Sequence, residues 1–364
     1  MGKGGQMAFQ KTRIVCVSDT HTYTPREAGY NLPAGDVLIH AGDITNRGSL
    51  TELRRSIEWI LDADYEAKIV VAGNHDVTLD PTFHAKHGPP DHNQCLEEQE
   101  ECVQLIKEAS SSIIYLNHSS TTVRLARPDG PGTMFKVFGS PYSRFEGHWA
   151  FGYELAEAQD LWAQIPLDAD IVVTHSPPQF HCDRRDDASL GCPELRRALS
   201  RVRPMLAVCG HIHEGRGYER VRWSTSSSPG DSLEEQSVSG SLPPTGSKKQ
   251  SLVDLTGKKQ ERLDNVSFLE KDNQTSQDSL AAPLTTSSIP DAQSNVSESM
   301  QDNRQLVEPD CGVTGVDVSA RKETCIVNAA IMASSWPYKT GKKFNVPIVV
   351  DLELPVWNKL QQGN

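Results

Sequence analysis

Histidine, aspartate and asparagine recur in this chain at the ends of short apolar runs, and these are side chains that hold divalent cations. Residues 14–17 run into Asp19-Thr20-His21, residues 37–39 into Gly42-Asp43, and residues 69–71 into Gly73-Asn74-His75-Asp76. Further on, residues 171–173 lead to His175, and residues 205–208 lead to Gly210-His211-Ile212-His213. Imidazole nitrogen combined with carboxylate or amide oxygen suits Zn, Mn, Fe or Co, whereas Mg and Ca prefer a shell made mostly of oxygen. A carboxylate can bridge two cations. A pair about 3.5–4 Å apart then activates water and stabilises both the attacking and the leaving oxygen of an in-line displacement. Phosphoester hydrolysis suits such a clamp, because its transition state gathers negative charge. Five run ends together delivering seven oxygen and nitrogen ligands are the pattern of a two-metal hydrolase.

Short apolar runs followed by a loop are how buried parallel strands read in sequence. Open α/β sheets place ligand sites just beyond the carboxyl ends of such strands. Ser49 with Glu52 three residues on forms a capping-box pattern, opening a helix in which Leu53, Ile57, Ile60 and Leu61 share one face. Further helices are expected over residues 96–109, 154–162 and 192–202, the last with basic residues near its C-terminus, where the helix dipole favours them. Strands are expected over 113–116, 121–126, 134–138, 217–223, 323–332 and 347–354. Strands mixed with covering helices imply an α/β layered domain.

The chain has 364 residues, a formal charge of −12 and only 37% hydrophobic residues, which predicts that part of it is unfolded. The acidic balance argues against a surface that grips duplex nucleic acid, but not against a phosphate substrate, since bound cations reverse the local field. Residues 224–310 break from their surroundings: 18 serines, a single aromatic (Phe268), no histidine or cysteine, and −7 of the net charge. Such a stretch buries too little apolar surface to offset its ordering entropy. We therefore divide the chain into 1–223, a disordered Ser-rich insert at 224–310, and 311–364 completing the same domain. An insertion at a hairpin tip costs little, because closure entropy grows only logarithmically with length. Its apolar patch at 252–255 reads as solvated linker or as a motif for a protein partner. The first 13 residues lack an apolar stretch of signal-peptide length, Gln6 stands where a myristoylation signal needs Ser or Thr, and no run is long enough for a membrane span. The eight cysteines show no CxxC pair, so reduced structural thiols, silent sequons (Asn117, Asn265, Asn273, Asn295) and a cytoplasmic or nuclear protein are expected.

The ordered set SDTH (18–21), AGD (41–43), GNHD (73–76), THSPP (174–178) and GHIHEG (210–215) resembles the calcineurin-like metallophosphoesterase superfamily. Within it, the HEG-x-G ending at 213–217 is similar to the small metallophosphoesterase-domain proteins that include mammalian brain-expressed members. The resemblance covers residues 13–223 and 323–351. It implies an α/β fold, a β-sandwich flanked by helices with the metals at one edge between the sheets. It implies Asp19, His21 and His213 on one metal, Asn74, His175 and His211 on the other, and Asp43 bridging them beside a hydroxide nucleophile. It further implies His75 as the acid at the leaving oxygen, with Asp76 either orienting it or serving as a plain loop carboxylate. The metals would be two divalent transition ions, Mn, Fe or Zn. Nearer relatives act on phosphodiesters, including cyclic nucleotides. Protein phosphatases of the superfamily carry a second aspartate and an arginine after the bridging Asp. Here Arg47 keeps its place but Asn46 replaces the carboxylate, which weakens that reading.

Other residues carry two readings each. His40 reads as a satisfied, partly buried histidine. His84, His87 and His92 lie in a stretch, 81–93, punctuated by Gly-Pro-Pro, expected to be a solvated loop or the substrate mouth. The loop at 140–153, with Arg144, Phe145, His148, Trp149 and Phe151, is either a pocket wall or ordinary packing. Arg184, Arg185, Arg196 and Arg197 read as a solvated face, unless one of them or Arg216 binds the phosphate side that is not cleaved. Arg47, Arg144, Trp149 and Arg216 are the candidate substrate contacts. Three functions compete: a phosphodiesterase acting on small or cyclic nucleotides, a phosphomonoesterase or protein phosphatase, and a scaffold that keeps the fold without turnover.

Overall fold

Residues alternate sides along a strand, and here both sides are apolar. Ile14 and Cys16 face one buried cluster while Val15 and Val17 face another, and Ile39, Ile69 and Val71 against Leu38 and Val70 repeat the pattern. A strand buried on both faces needs a second sheet on one side and helices on the other. A computed structural model of the chain describes residues 8–92, 96–144, 149–224, 235–244, 247, 249–265, 321–333 and 341–357. For residues 88–92, 96–98 and 235 it describes the backbone only.

The first sheet has six strands in the order Ser251–Asp254, Ile348–Pro355, Phe9–Val17, Val37–Ala41, Ala67–Val71, Ile113–Tyr115. All neighbours are parallel except Phe9–Val17 against Ile348–Pro355, which pair antiparallel with Ile14 opposite Val350. The second has seven, in the order Glu235–Ser239, Gly217–Trp223, Glu323–Asn328, Leu206–Cys209, Ile171–Thr174, Met134–Ser140, Ser119–Arg124. Its centre, from Glu323–Asn328 to Met134–Ser140, is parallel. The sheets meet through Ile14, Val37, Ile39 and Ile69 on one side and Val137, Ile171, Val173, Leu206 and Val208 on the other. Helices Leu50–Asp62 and Leu96–Glu108 cover the outer face of the first sheet, and Ala158–Ala163 and Pro193–Val202 that of the second. This is the expected helix-flanked sandwich. The Ser49–Glu52 capping box forms as read, and Leu53, Ile57 and Ile60 are buried beneath it. The six described cysteines are all buried and unbonded to one another. No described helix is long and apolar enough to cross a membrane.

Two expectations are corrected. The expected loop is a helix over Pro81–His92, whose first turn is capped by the Asp80 carboxylate accepting from the Phe83 amide at 3.0 Å, while Asn93 lies outside the described residues. His84 is buried there and His87 packs on Phe83, while the side chain of His92 lies outside the described ones. The second concerns the insert, where Glu235–Ser239 and Ser251–Asp254 are edge strands, one on each sheet. Val253, Leu255 and Leu263 enter the core between the sheets, so the patch at 252–255 is packed structure. Average composition conceals such short apolar runs. The rest of the insert, 225–234, 245–246, 248 and 266–310, lies outside the described residues.

Beyond residue 320 the chain re-enters the second sheet on a buried arginine. Arg321 donates from Nη1 to the Ala169 carbonyl at 2.7 Å and pairs through Nη2 with the Asp170 carboxylate. Removing one partner of a buried pair strands the other charge. Arg321→Ala is expected to destabilise the fold by roughly 3 kcal/mol in urea unfolding. A loss below about 1 kcal/mol, the value of a surface pair, would contradict this anchoring role.

Candidate metal centre

Each candidate ligand stands one to four residues beyond a strand end, where the backbone must turn at once. Asp19, His21, Asp43 and His211 do so in the left-handed region, with φ of 54, 42, 51 and 67°. Such a conformation costs of order 1–3 kcal/mol per residue and persists only when its surroundings hold it. Backbone bonds do that here: the Asp19 amide to the Gly42 carbonyl and the His21 amide to the Asp43 carbonyl, both at 3.0 Å. Two glycines leave the space. A Cβ on Gly73 would lie 2.2 Å from Asp43 Oδ1, and one on Gly210 would lie 2.2 Å from Asp19 Oδ2.

The strand ends of the two sheets bring their side chains together. His175 Nε2 lies 3.3 Å from Asp43 Oδ1 and 3.0 Å from Asn74 Oδ1. His21 Nε2 lies 3.8 Å from Asp43 Oδ2 and 3.5 Å from His213 Nε2, and His213 Nε2 is 3.4 Å from Asp19 Oδ1. Among the described residues, three groups have donor atoms all within 4.8 Å of one another: Asp19, His21 and His213; Asp19, Asp43 and His175; His21, Asp43 and His75. The ring of His211 stacks edge-on to His175 at 4.9 Å, and its amide donates to both Asp19 oxygens at 3.1 Å. It joins none of those three groups.

The donor chemistry fits cations. His175 Nδ1 lies 3.0 Å from the Ala41 carbonyl, which can only accept, so Nδ1 carries the hydrogen. Its Nε2 lone pair then faces two acceptor oxygens, and a cation or a second proton must lie among them. Without a metal the proton takes that place: burial opposes it, but the Asp43 carboxylate outweighs burial and lifts the pKa of His175 to about 9. Burial pushes His21 and His211 down to about 3, leaving neutral imidazoles, the form that coordinates metal. Burial would raise the Asp19 carboxyl, yet its hydrogen bond with His213 holds it below the usual range.

His75, next to Asn74, is held on two sides. Its Nδ1 lies 2.8 Å from the Asn46 carbonyl, and its ring stacks on half-buried Trp149 with centroids 4.0 Å apart. The Ala150 amide bonds the Asn74 carbonyl at 3.1 Å, tying the Trp149 segment to the ligand loop. Asp76 does not orient His75. It accepts from Gly73 N (2.7 Å), Thr45 N (2.8 Å), Thr45 Oγ1 (2.6 Å) and Ile44 N (3.2 Å), stitching two ligand loops together. Burial, then the nearby Asp43 charge, pushes its pKa up to about 7 against the pull of those donors.

Of the other candidates, Arg216 is a structural clamp, donating to the carbonyls of Ala330 (3.2 Å) and Val346 (2.6 Å). Arg47 and Arg144 are exposed, on the loop after Asp43 and on the short strand Ser143–Arg144. Phe145 and His148 lie outside the described residues. His40 is fully rather than partly buried; its Nε2 lies 2.9 Å from Thr20 Oγ1 and its Nδ1 has no hydrogen-bond partner. Sequence reasoning missed Asn328. Its Nδ2 donates to the carbonyls of Ile212 (2.8 Å) and Cys182 (3.0 Å), and so braces the His211–His213 turn from a strand beyond the insert. A polar residue ending the apolar run 325–327 is the only signal it leaves.

A family model described as calcineurin-like phosphoesterase matches residues 12–215, more than half of the chain. A probable rhamnogalacturonate lyase C of Emericella nidulans is 41% identical over 229 residues, covering 61% of this chain and 19% of that protein. The human and mouse proteins named metallophosphoesterase domain-containing protein 1 are each 38% identical over 216 residues, 57% of this chain and 62% of theirs. The chain thus spans less than two thirds of these relatives' length.

Groups that orient ligands from behind typically carry ten- to a hundredfold in metal affinity. Asp76→Asn removes an acceptor from the Thr45 and Gly73 bonds and is expected to weaken Mn²⁺ binding about tenfold in calorimetric titration. Unchanged affinity would show that the two loops hold their geometry without it.

Proposed function

Because this chain belongs to the calcineurin-like phosphoesterase family, we propose that it hydrolyses phosphoesters at a dinuclear centre, with a preference for small or cyclic-nucleotide diesters. Asp19, His21 and His213 would hold one cation, Asn74, His175 and His211 the other, and Asp43 would bridge. The observation that carries this reading is the placement of Asp43. Its Oδ1 faces His175 at 3.3 Å and its Oδ2 faces His21 at 3.8 Å, so one buried carboxylate offers an oxygen to each group. A set this rich in imidazole favours Mn, Fe or Zn. When bound, the cations would supply Lewis acidity, making water nucleophilic at neutral pH and neutralising charge that develops on the phosphoryl oxygens.

The remaining roles belong to side chains. Since the Asn46 carbonyl can only accept, His75 carries a hydrogen on Nδ1, and Nε2 is left to exchange a proton with the leaving oxygen. Trp149 limits the tilt of that ring. The support behind His75 is a neutral carbonyl rather than a carboxylate, which favours the diesterase over the protein-phosphatase reading. The six described cysteines, buried and unbonded to one another, accord with a reducing compartment, cytoplasm or nucleus.

Purified protein with added Mn²⁺ is expected to cleave bis(4-nitrophenyl) phosphate faster than 4-nitrophenyl phosphate. Equal or reversed rates would favour a monoesterase, and no turnover on either with two metals bound would favour a scaffold. Asp43→Asn should lose metal and rate together. His75→Ala should keep its metal content while kcat falls about a hundredfold or more.

A further inference from the structure

The segment after His175 carries a large aromatic side chain that is half exposed. Phe180 is 51% exposed and is held at φ 71°, a backbone conformation that side chains with a Cβ avoid. An outlier of this kind persists only when neighbours impose it. Here the neighbour is Asp183, fully buried, whose Oδ2 accepts from the Phe180 amide (3.0 Å), the Gly191 amide (2.8 Å) and the Ser189 hydroxyl. The backbone that carries the ring is therefore fixed by the loop itself. The Arg196 guanidinium sits 5.2 Å from the ring centroid, and Arg184 and Arg185 are exposed on the hairpin just beyond.

This shelf lies on the loop that begins at His175. Residues 175–192 connect the Ile171–Thr174 strand to the Pro193–Val202 helix, so they lie at the carboxyl end of the sheet, as the ligands do. They also pack on the turn that carries His213. A Cβ on Gly215 would lie 2.3 Å from the Cys182 carbonyl, and Arg185 Nε is 3.5 Å from Glu214 Oε2.

We propose that Phe180, with Arg196 behind it, is the platform on which the planar ring of a nucleotide stacks while its phosphate lies at the metals. The inference rests on the phosphoesterase reading and deepens it. An aromatic face stacks any base with little preference among them. The hairpin itself is neutral, Arg184 and Arg185 being followed by Asp186 and Asp187, so the cation placed against the ring is the Arg196 guanidinium. The shelf thus selects for a flat heterocycle near the phosphate rather than for one particular base.

The test compares two probes, adenosine 5′-monophosphate and inorganic phosphate, by titration calorimetry on the Mn²⁺-loaded full-length protein. Both share the phosphate; only the first has a ring. Phe180→Ala is expected to weaken binding of the nucleotide about tenfold and leave that of phosphate unchanged. Phe180→Tyr, which keeps the stacking face, should restore it, and Arg196→Ala should weaken the nucleotide alone. Equal affinities of the wild-type protein for the two probes, or an unchanged ratio in Phe180→Ala, would overturn the platform. Cleavage of bis(4-nitrophenyl) phosphate, measured on the same preparations, reports separately on the phosphoesterase reading.

Discussion

Asp43 is a buried carboxylate with an imidazole facing each of its oxygens, His175 on one side and His21 on the other. A lone charge in such a place is costly, and the cost is removed only by positive charge among the donors. Protons can serve, as the raised pKa of His175 records. Two divalent cations serve better, since they satisfy lone pairs on Asp43, Asn74 and the histidines together without requiring any imidazole to be charged.

Convergence takes two sheets. Phe9–Val17, Val37–Ala41 and Ala67–Val71 bring Asp19, His21, Asp43 and Asn74 to the edge of one; Ile171–Thr174 and Leu206–Cys209 bring the remaining histidines to the edge of the other. The apolar layer between the sheets fixes their separation, and close packing keeps that separation from drifting. Left-handed turns at Asp19, His21, Asp43 and His211 redirect the chain as soon as the strands end. Gly73 and Gly210 let Asp43 and Asp19 approach neighbouring backbone more closely than any side chain would allow. Asp76 and Asn328 hold the loops from behind, so that the centre is prepared by hydrogen bonds as well as by strand placement.

Much of this was legible in the chain because each candidate ligand is adjacent in sequence to the strand that positions it. An apolar run and the polar residues that end it are local features, and so is the Ser49–Glu52 box. What sequence hid was non-local or finely divided. The stacking of Trp149 on His75 joins segments that approach only in the fold, and Asn328 reaches its turn from more than a hundred positions away. The strands Glu235–Ser239 and Ser251–Asp254 vanish in the average composition of a serine-rich stretch, yet Val253 and Leu255 are buried. The Pro81–His92 helix was obscured by its Gly-Pro-Pro, a breaking signal, although the Asp80 cap sets its first turn.

The whole account comes down to whether one carboxylate is shared by two metals. A crystal soaked with Mn²⁺ and measured at the manganese absorption edge answers it directly. Two anomalous peaks about 3.5–4 Å apart, each within bonding distance of a different oxygen of Asp43, are what the account requires. A single peak, or a pair that leaves Asp43 uncoordinated, would contradict it.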